Sequence, residues 1–255
     1  MKKTFPRYYL FYFTFSAAIV ILIISIAVIL FQTGNSPAKP RSTTQTQKSA
    51  LTRAAPETLS SSDIRLPLKG TTIFLDPGHG GKDPGTVDYG LFEKTLTLQI
   101  CKKLQQQLEN LGATVAASRD RDVHVDLKKR VQAAKKAGAD LFISLHLNSV
   151  DYDTKSNGIE TYYHTSSSPD SILLAGLIQK HLIQATSAKD RGIKQKNFYV
   201  IHKTDIPSCL IEAGFLSSAK EQALLQNSSY QDKIAAGITQ GILSYLKHQK
   251  AVHTV

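Results

Sequence analysis

The longest uninterrupted apolar stretch runs from Tyr8 to Phe31, YYLFYFTFSAAIVILIISIAVILF, 24 residues without a charge. At about 1.5 Å rise per residue a helix of this length exceeds the roughly 30 Å apolar core of a bilayer. It has no polar face, so it does not read as a buried core helix. The run predicts an uncleaved, single-pass membrane anchor, being longer than the apolar part of a secretory signal, usually about 7–15 residues. A cleaved signal is the competing reading, because Ser36–Ala38 offers small residues where a peptidase would cut. Residues 32–69, rich in Ser, Thr, Gln, Pro and basic side chains and without hydrophobic period, predict a flexible basic linker.

From Gly70 onward short β-type runs alternate with longer amphipathic stretches. The pattern predicts strands at Thr72–Leu75, Thr114–Ala117, Leu141–Leu145, Gly158–Tyr163, Phe198–Ile201 and Ser208–Ile211. Helices are predicted over about 93–110, 125–137, 170–186, 218–226 and 229–247, with Gly112 and Gly138 just past two of them. Such interleaving predicts an α/β domain over 70–248, with a mostly parallel sheet of about six strands between helix layers. Residues 1–7 are then a cytoplasmic tail, 8–31 the transmembrane helix, and 249–255 a C-terminal tail.

Charge changes this picture little once it is divided along the chain. The formal net charge is +11, but from residue 70 onward 22 basic residues face 18 acidic ones. The basic excess sits in the tail and linker, where it suits anionic lipid or wall polymer, and no zinc-finger or stacked-aromatic pattern supports a nucleic-acid partner. Lys2, Lys3 and Arg7 precede the apolar run while Lys39, Arg41 and Lys48 follow it; the tighter N-terminal cluster leans toward an inside N-terminus and an extracytoplasmic domain. Cys101 and Cys209 lie in no metal-ligand spacing and read as buried free thiols.

The candidate chemistry lies at strand ends, where parallel α/β sheets form their sites. The first strand ends just before His79 in IFLDPGHGGKDPG, another ends at His146 in DLFISLHLNS, and a third at Glu212 in IPSCLIEAGF. A single histidine at such a place is more readily structural, whereas three strands delivering ligand or acid/base side chains to one edge point to a site. Gly78, Gly80 and Gly81 leave His79 room to turn sharply. Two histidines are too few for a stable zinc site, and Glu93, which begins a helix in GLFEKTLTL, offers a carboxylate. An acidic residue in a first helical turn is also favoured by the helix dipole alone, so both readings of Glu93 stay open.

Together the blocks LDPGHGGKDPG with a following EK, DLFISLHLNS, GIETYY and DIPSCLIEAGFLSS resemble the zinc-dependent N-acetylmuramoyl-L-alanine amidases of the type-3 amidase family, over about residues 71–247. The resemblance implies an open α/β/α sandwich, one Zn²⁺ held by His79, Glu93 and His146, and Glu212 as the catalytic carboxylate. It implies peptidoglycan as substrate, cut between the lactyl group of N-acetylmuramic acid and L-alanine. Ser218 and Thr86 depart from residues usual in the family. Some members insert an occluding helix after the strand equivalent to Gly158–Tyr163; here only HTSSSPD (His164–Asp170) follows, which predicts an open cleft.

His2Glu ligation leaves zinc a position for water, and Glu212 would move protons between that water and the leaving amine. A zinc peptidase acting on another amide, and a non-catalytic wall-binding scaffold, are the competing readings. The sequence holds no further wall-binding module, so the bacterial cell membrane, or a membrane-bound activator in it, must localise the domain. Asp76 and Asn148 are candidates for orienting the ligands, Glu160 a lesser one, and His124, His164, His181, His202, His248 and His253 match no motif.

Overall fold

Within a computed structural model that describes residues 66–252 apart from 152, 154 and 167, the predicted alternation resolves into one mixed sheet between helices. Along the chain come β1 (Thr72–Pro77), the two-residue strands β2 (Val87–Asp88) and β3 (Leu91–Phe92), α1 (Glu93–Asn110), β4 (Thr114–Ala117) and α2 (Leu127–Lys136). They are followed by β5 (Leu141–Asn148), β6 (Ile159–Tyr163), α3 (Ser171–Thr186), β7 (Asp190–Gln195) and α4 (Tyr199–His202). β8 (Ser208–Phe215), α5 (Ala219–Leu225) and α6 (Ser228–Val252) complete the order.

The sheet order is β4-β1-β5-β8-β6-β7. β4, β1, β5 and β8 run parallel, β6 is antiparallel to β8, and β7 is parallel to β6. The reversal follows from chain length. Residues 149–158 join β5 to β6, too short a stretch for the crossover that a parallel return needs. α3 supplies such a crossover between β6 and β7, which are accordingly parallel.

Side chains alternate across each strand, and both faces are covered. Ile73, Leu75, Ile143, Leu145 and Ile211 pack with Ile100 and Leu104 of α1, Ile178 of α3 and Ile238 of α6 in the larger core. On the other face Phe74, Phe142, Leu210 and Tyr162 meet Ala134 of α2 and Val200 and Ile201 of α4, with Phe74 and Phe142 stacked at 5.5 Å between ring centroids. This is the expected sandwich. Towards the carboxyl end of the parallel strands the second face turns polar, through Asp76, Ser144, His146 and Glu212. Cys101 and Cys209 are buried and free, and burial pushes both thiols well above their ordinary pKa.

Phe198–Ile201, expected as a strand, is instead the edge of the short helix α4. A four-residue apolar run carries no period long enough to separate one helical turn from a strand. The strand β7 escapes the pattern because it pairs on one side only, with β6, and its DRGIKQ side chains stay largely accessible. The expected membrane span, the signal cleavage site and residues 32–65 of the expected linker lie outside the described residues; its last four residues, 66–69, are instead part of the folded domain, because Leu68 is buried in the larger core and its N–H donates to Leu111 O at 3.0 Å. Among those described, no helix is long and apolar enough to cross a membrane.

α6 and α3 meet backbone to backbone. A Cβ on Gly241 would stand 2.5 Å from Ile178 Cα. Gly→Ala in a helix interior ordinarily stabilises by about 1 kcal/mol; here overpacking by about 1–3 kcal/mol outweighs it. Gly241→Ala should therefore lower the denaturant midpoint, and a midpoint at or above wild type would show that the two helices are not in the close contact described.

Candidate metal centre

β1 ends at Pro77, and the Gly78 N–H then donates to Leu145 O at 2.9 Å, keeping the departing chain against β5. The next residue, His79, adopts φ 60°, in the left-handed region. Its Nδ1 pairs with Asp83 Oδ2 at 2.9 Å, which orients the ring so that Nε2 lies 3.1 Å from Glu93 Oε1. From β5, His146 Nδ1 reaches the same Oε1 at 2.9 Å. The two rings meet edge to face, with centroids 4.9 Å apart.

Glu93 is 3% exposed at the first position of α1. Leu147 N–H donates to its Oε1 at 3.0 Å and Thr86 N–H to its Oε2 at 2.9 Å, while Glu93 N–H returns a bond to Thr86 O. Burial alone would raise its pKa, but the contacts from His146 and His79 outweigh burial and hold the carboxyl well below its usual range. One ligating atom from each of His79, Glu93 and His146 lies within 4.8 Å of the others. Two glycines leave space for this. A Cβ on Gly78 would sit 2.5 Å from the His146 ring, and one on Gly85 would be 2.6 Å from both Glu93 Oε2 and His79 Cδ2.

Beneath the His79 turn lie two buried guanidinium groups. Arg119 donates from Nε to Pro77 O and from Nη2 to Gly78 O and Lys94 O, at 3.0, 2.7 and 2.8 Å. Arg130 donates to Pro77 O and His79 O at 2.8 and 2.7 Å and pairs with buried Asp76 at 2.7 Å. Three successive carbonyls of the turn are thereby fixed. Asp76 thus acts on the ligands through Arg130 and the backbone, not by touching an imidazole.

Glu212 is in register with His146 on one side and Glu160 on the other, while the β5–β8 register shifts just past His146. Its Oε2 is buried and has no hydrogen-bond partner among the described residues. Burial, reinforced by the charges of Glu93 and Glu160, pushes its pKa well above the ordinary carboxylate range. Asn148 donates to Glu160 at 2.7 Å and does not contact the proposed ligands. The His79 and His146 side chains remain 24% and 21% exposed to a cleft of about 350 Å³, so among the described residues the centre is open.

The structure therefore brings together all four residues singled out from the sequence. Arg119, Arg130 and Asp83 were not singled out. Asp83 carried a local signal, four residues after His79 in GHGGKD, whereas the arginines act across 41 to 54 positions and carried none. His124 lines the same cleft and pairs with Asp126; the His164 and His202 rings meet edge to face, and His181 bonds Ser244. His253 lies outside the described residues.

Residues 73–244 match the family model described as N-acetylmuramoyl-L-alanine amidase. N-acetylmuramoyl-L-alanine amidase LytC of Bacillus subtilis (strain 168) is 39% identical over 76% of this chain, which spans 39% of LytC's length. YqiI of the same organism is 39% identical over 70% of this chain and 86% of its own length. Among solved structures, an N-acetylmuramoyl-L-alanine amidase from Clostridium difficile 630 superposes with a TM-score of 0.68 at 40% identity, covering 69% of this chain and 97% of that one. The CwlD amidase of Clostridioides difficile, solved in complex with the GerS lipoprotein, gives 0.67 at 34% identity over 70% of this chain and 99% of its own.

Two imidazoles and a carboxylate around a space kept clear by glycines are a donor set suited to zinc. Gly78→Ala drives a methyl group into the His146 ring, so zinc affinity measured by chelator competition should fall by about 10-fold or more while the circular dichroism of the fold persists. Unchanged zinc affinity would show that the ring has room to spare.

Proposed function

This chain belongs to the N-acetylmuramoyl-L-alanine amidase family, and on that premise we propose that it hydrolyses the amide between the muramic lactyl group and L-alanine of peptidoglycan, using one zinc ion held by His79, Glu93 and His146. The observation that carries the reading is the unpartnered, buried Glu212 Oε2 beside His146, in the same cleft as both imidazoles. Zinc in that position supplies Lewis-acid polarisation of the amide carbonyl and lowers the pKa of water towards about 7. The chain's own residues do the rest. Asp83 presents Nε2 of His79, and the Leu147 and Thr86 N–H groups keep the Glu93 carboxylate in place. Glu212 accepts a proton from the attacking water and passes one to the leaving amine.

Glu212 Oε2 needs a partner that the described residues do not supply, which is the position expected of a proton carrier rather than a structural carboxylate. Glu212→Ala should leave zinc stoichiometry at one while hydrolysis of muropeptides falls by about 10²–10⁴-fold. His79→Ala or His146→Ala should lose zinc together with activity, because two remaining ligands hold the metal poorly. Elemental analysis beside turnover separates the roles; loss of zinc from Glu212→Ala as complete as from His79→Ala would make Glu212 a ligand and end this mechanism.

We further propose that Tyr8–Phe31 anchors the chain in the bacterial membrane with the amidase domain outside, on the strength of its length and lack of charge. The CwlD complex with a lipoprotein makes a membrane-bound protein the class of activator to seek. Full-length protein should sediment with membranes, resist a high-salt wash that strips the basic linker, and dissolve in detergent. A mature chain beginning near Lys39, recovered from the medium, would contradict the anchor.

A further inference from the structure

Reactive side chains cross the sheet in a row. His79 follows β1, His146 lies on β5, Glu212 pairs with it from β8, and Glu160 pairs with Glu212 from β6. The row continues onto the outermost strand, β7, with Arg191 and Lys194. Glu160 is 2% exposed and accepts from Asn148 Nδ2 at 2.7 Å, Tyr162 OH at 2.6 Å, Arg191 Nε at 3.0 Å and Lys194 Nζ. A carboxylate met by four donors is fixed, and it fixes the cations in turn.

Lys194 is the unusual member. It lies in register with Tyr162, whose ring packs against Phe198 of the cleft wall, so its side chain shares the cleft face. Although Glu160 holds its ammonium, the side chain remains 42% exposed. An ammonium has three donors, and Glu160 occupies one. The other end of the cleft has the opposite character. Its lining carries Asp83, paired with His79, and Asp126, paired with His124 and Lys129, while Arg130 is consumed by Asp76 and backbone carbonyls.

Resting on the amidase reading above, we propose that Lys194, held in place by Glu160, is a subsite for a carboxylate on the peptide arm of the substrate, which therefore leaves the scissile bond across β6 towards β7. Strands lie about 4.8 Å apart, which puts β7 roughly 14 Å from β5. An extended peptide covers that in about four residues. A pre-positioned ammonium binds such a group without first having to order a flexible side chain.

The test compares kcat/KM of the zinc-loaded full-length protein on muropeptides whose peptide-arm carboxylates are free or amidated. Wild type should prefer the free form by about ten-fold, in KM rather than kcat, and the preference should shrink with added salt. Lys194→Met should bring the ratio towards one, and Lys194→Arg should keep it. A wild-type ratio near one, a ratio insensitive to salt, or a preference retained in Lys194→Met overturns the subsite. If Lys194→Met does not fold, the wild-type ratio and its salt dependence decide alone. Hydrolysis of both substrates at equal efficiency removes only the subsite, whereas failure to cut the lactyl–alanine bond in either removes the amidase reading and the subsite with it.

Discussion

A carboxylate taken out of water must be answered by donors or it destabilises the fold by several kcal/mol. Glu93 is answered from three separate parts of the chain. His79 comes from the turn after β1, His146 and the Leu147 N–H from β5, and the Thr86 N–H from the loop that leads into α1. The two contacts from β5 require that strand to be paired beside β1 and α1 to have docked with its first turn at the sheet's carboxyl edge. The same arrangement that satisfies one buried charge also assembles three groups able to hold a metal, so the fold and the candidate centre are specified together.

Keeping His79 in that arrangement requires a left-handed backbone, which costs free energy for any residue other than glycine. Arg119 and Arg130 offset this cost by holding the carbonyls of Pro77, Gly78 and His79. Both guanidinium groups are nearly buried, and both find acceptors in the turn, with Asp76 neutralising Arg130. A rigid turn presents an imidazole at small entropic cost, as a metal ligand requires. On β6, Glu160 uses the same device, a buried charge satisfied by several partners, to hold two cations of β7.

Much of this was legible in the sequence because parallel strands buried on both faces leave apolar runs whose ends can be read. Thr114–Ala117 and the helix beginning at Glu93 fall where the pattern places them. His79, His146 and Glu212 were visible because each interrupts or follows such a run. The register was not legible: nothing in the pattern sets Glu212 opposite Glu160, since β6 is reversed by a short connection and β8 is inserted beside it from 52 positions later. β7 and the β2–β3 hairpin were missed because small, accessible strands need no apolar alternation. The arginine supports were missed because they act through backbone carbonyls, for which sequence carries no code.

The central claim is that this edge of the sheet is a zinc centre for one particular amide bond. Mass analysis of the products from purified muropeptides and full-length protein tests it most directly. Release of intact stem peptide with a free alanine amine, leaving a peptide-free muramic product, is the predicted result, stopping when zinc is chelated and resuming when it is restored. Cleavage within the peptide or the glycan, or cleavage indifferent to the chelator, would contradict it.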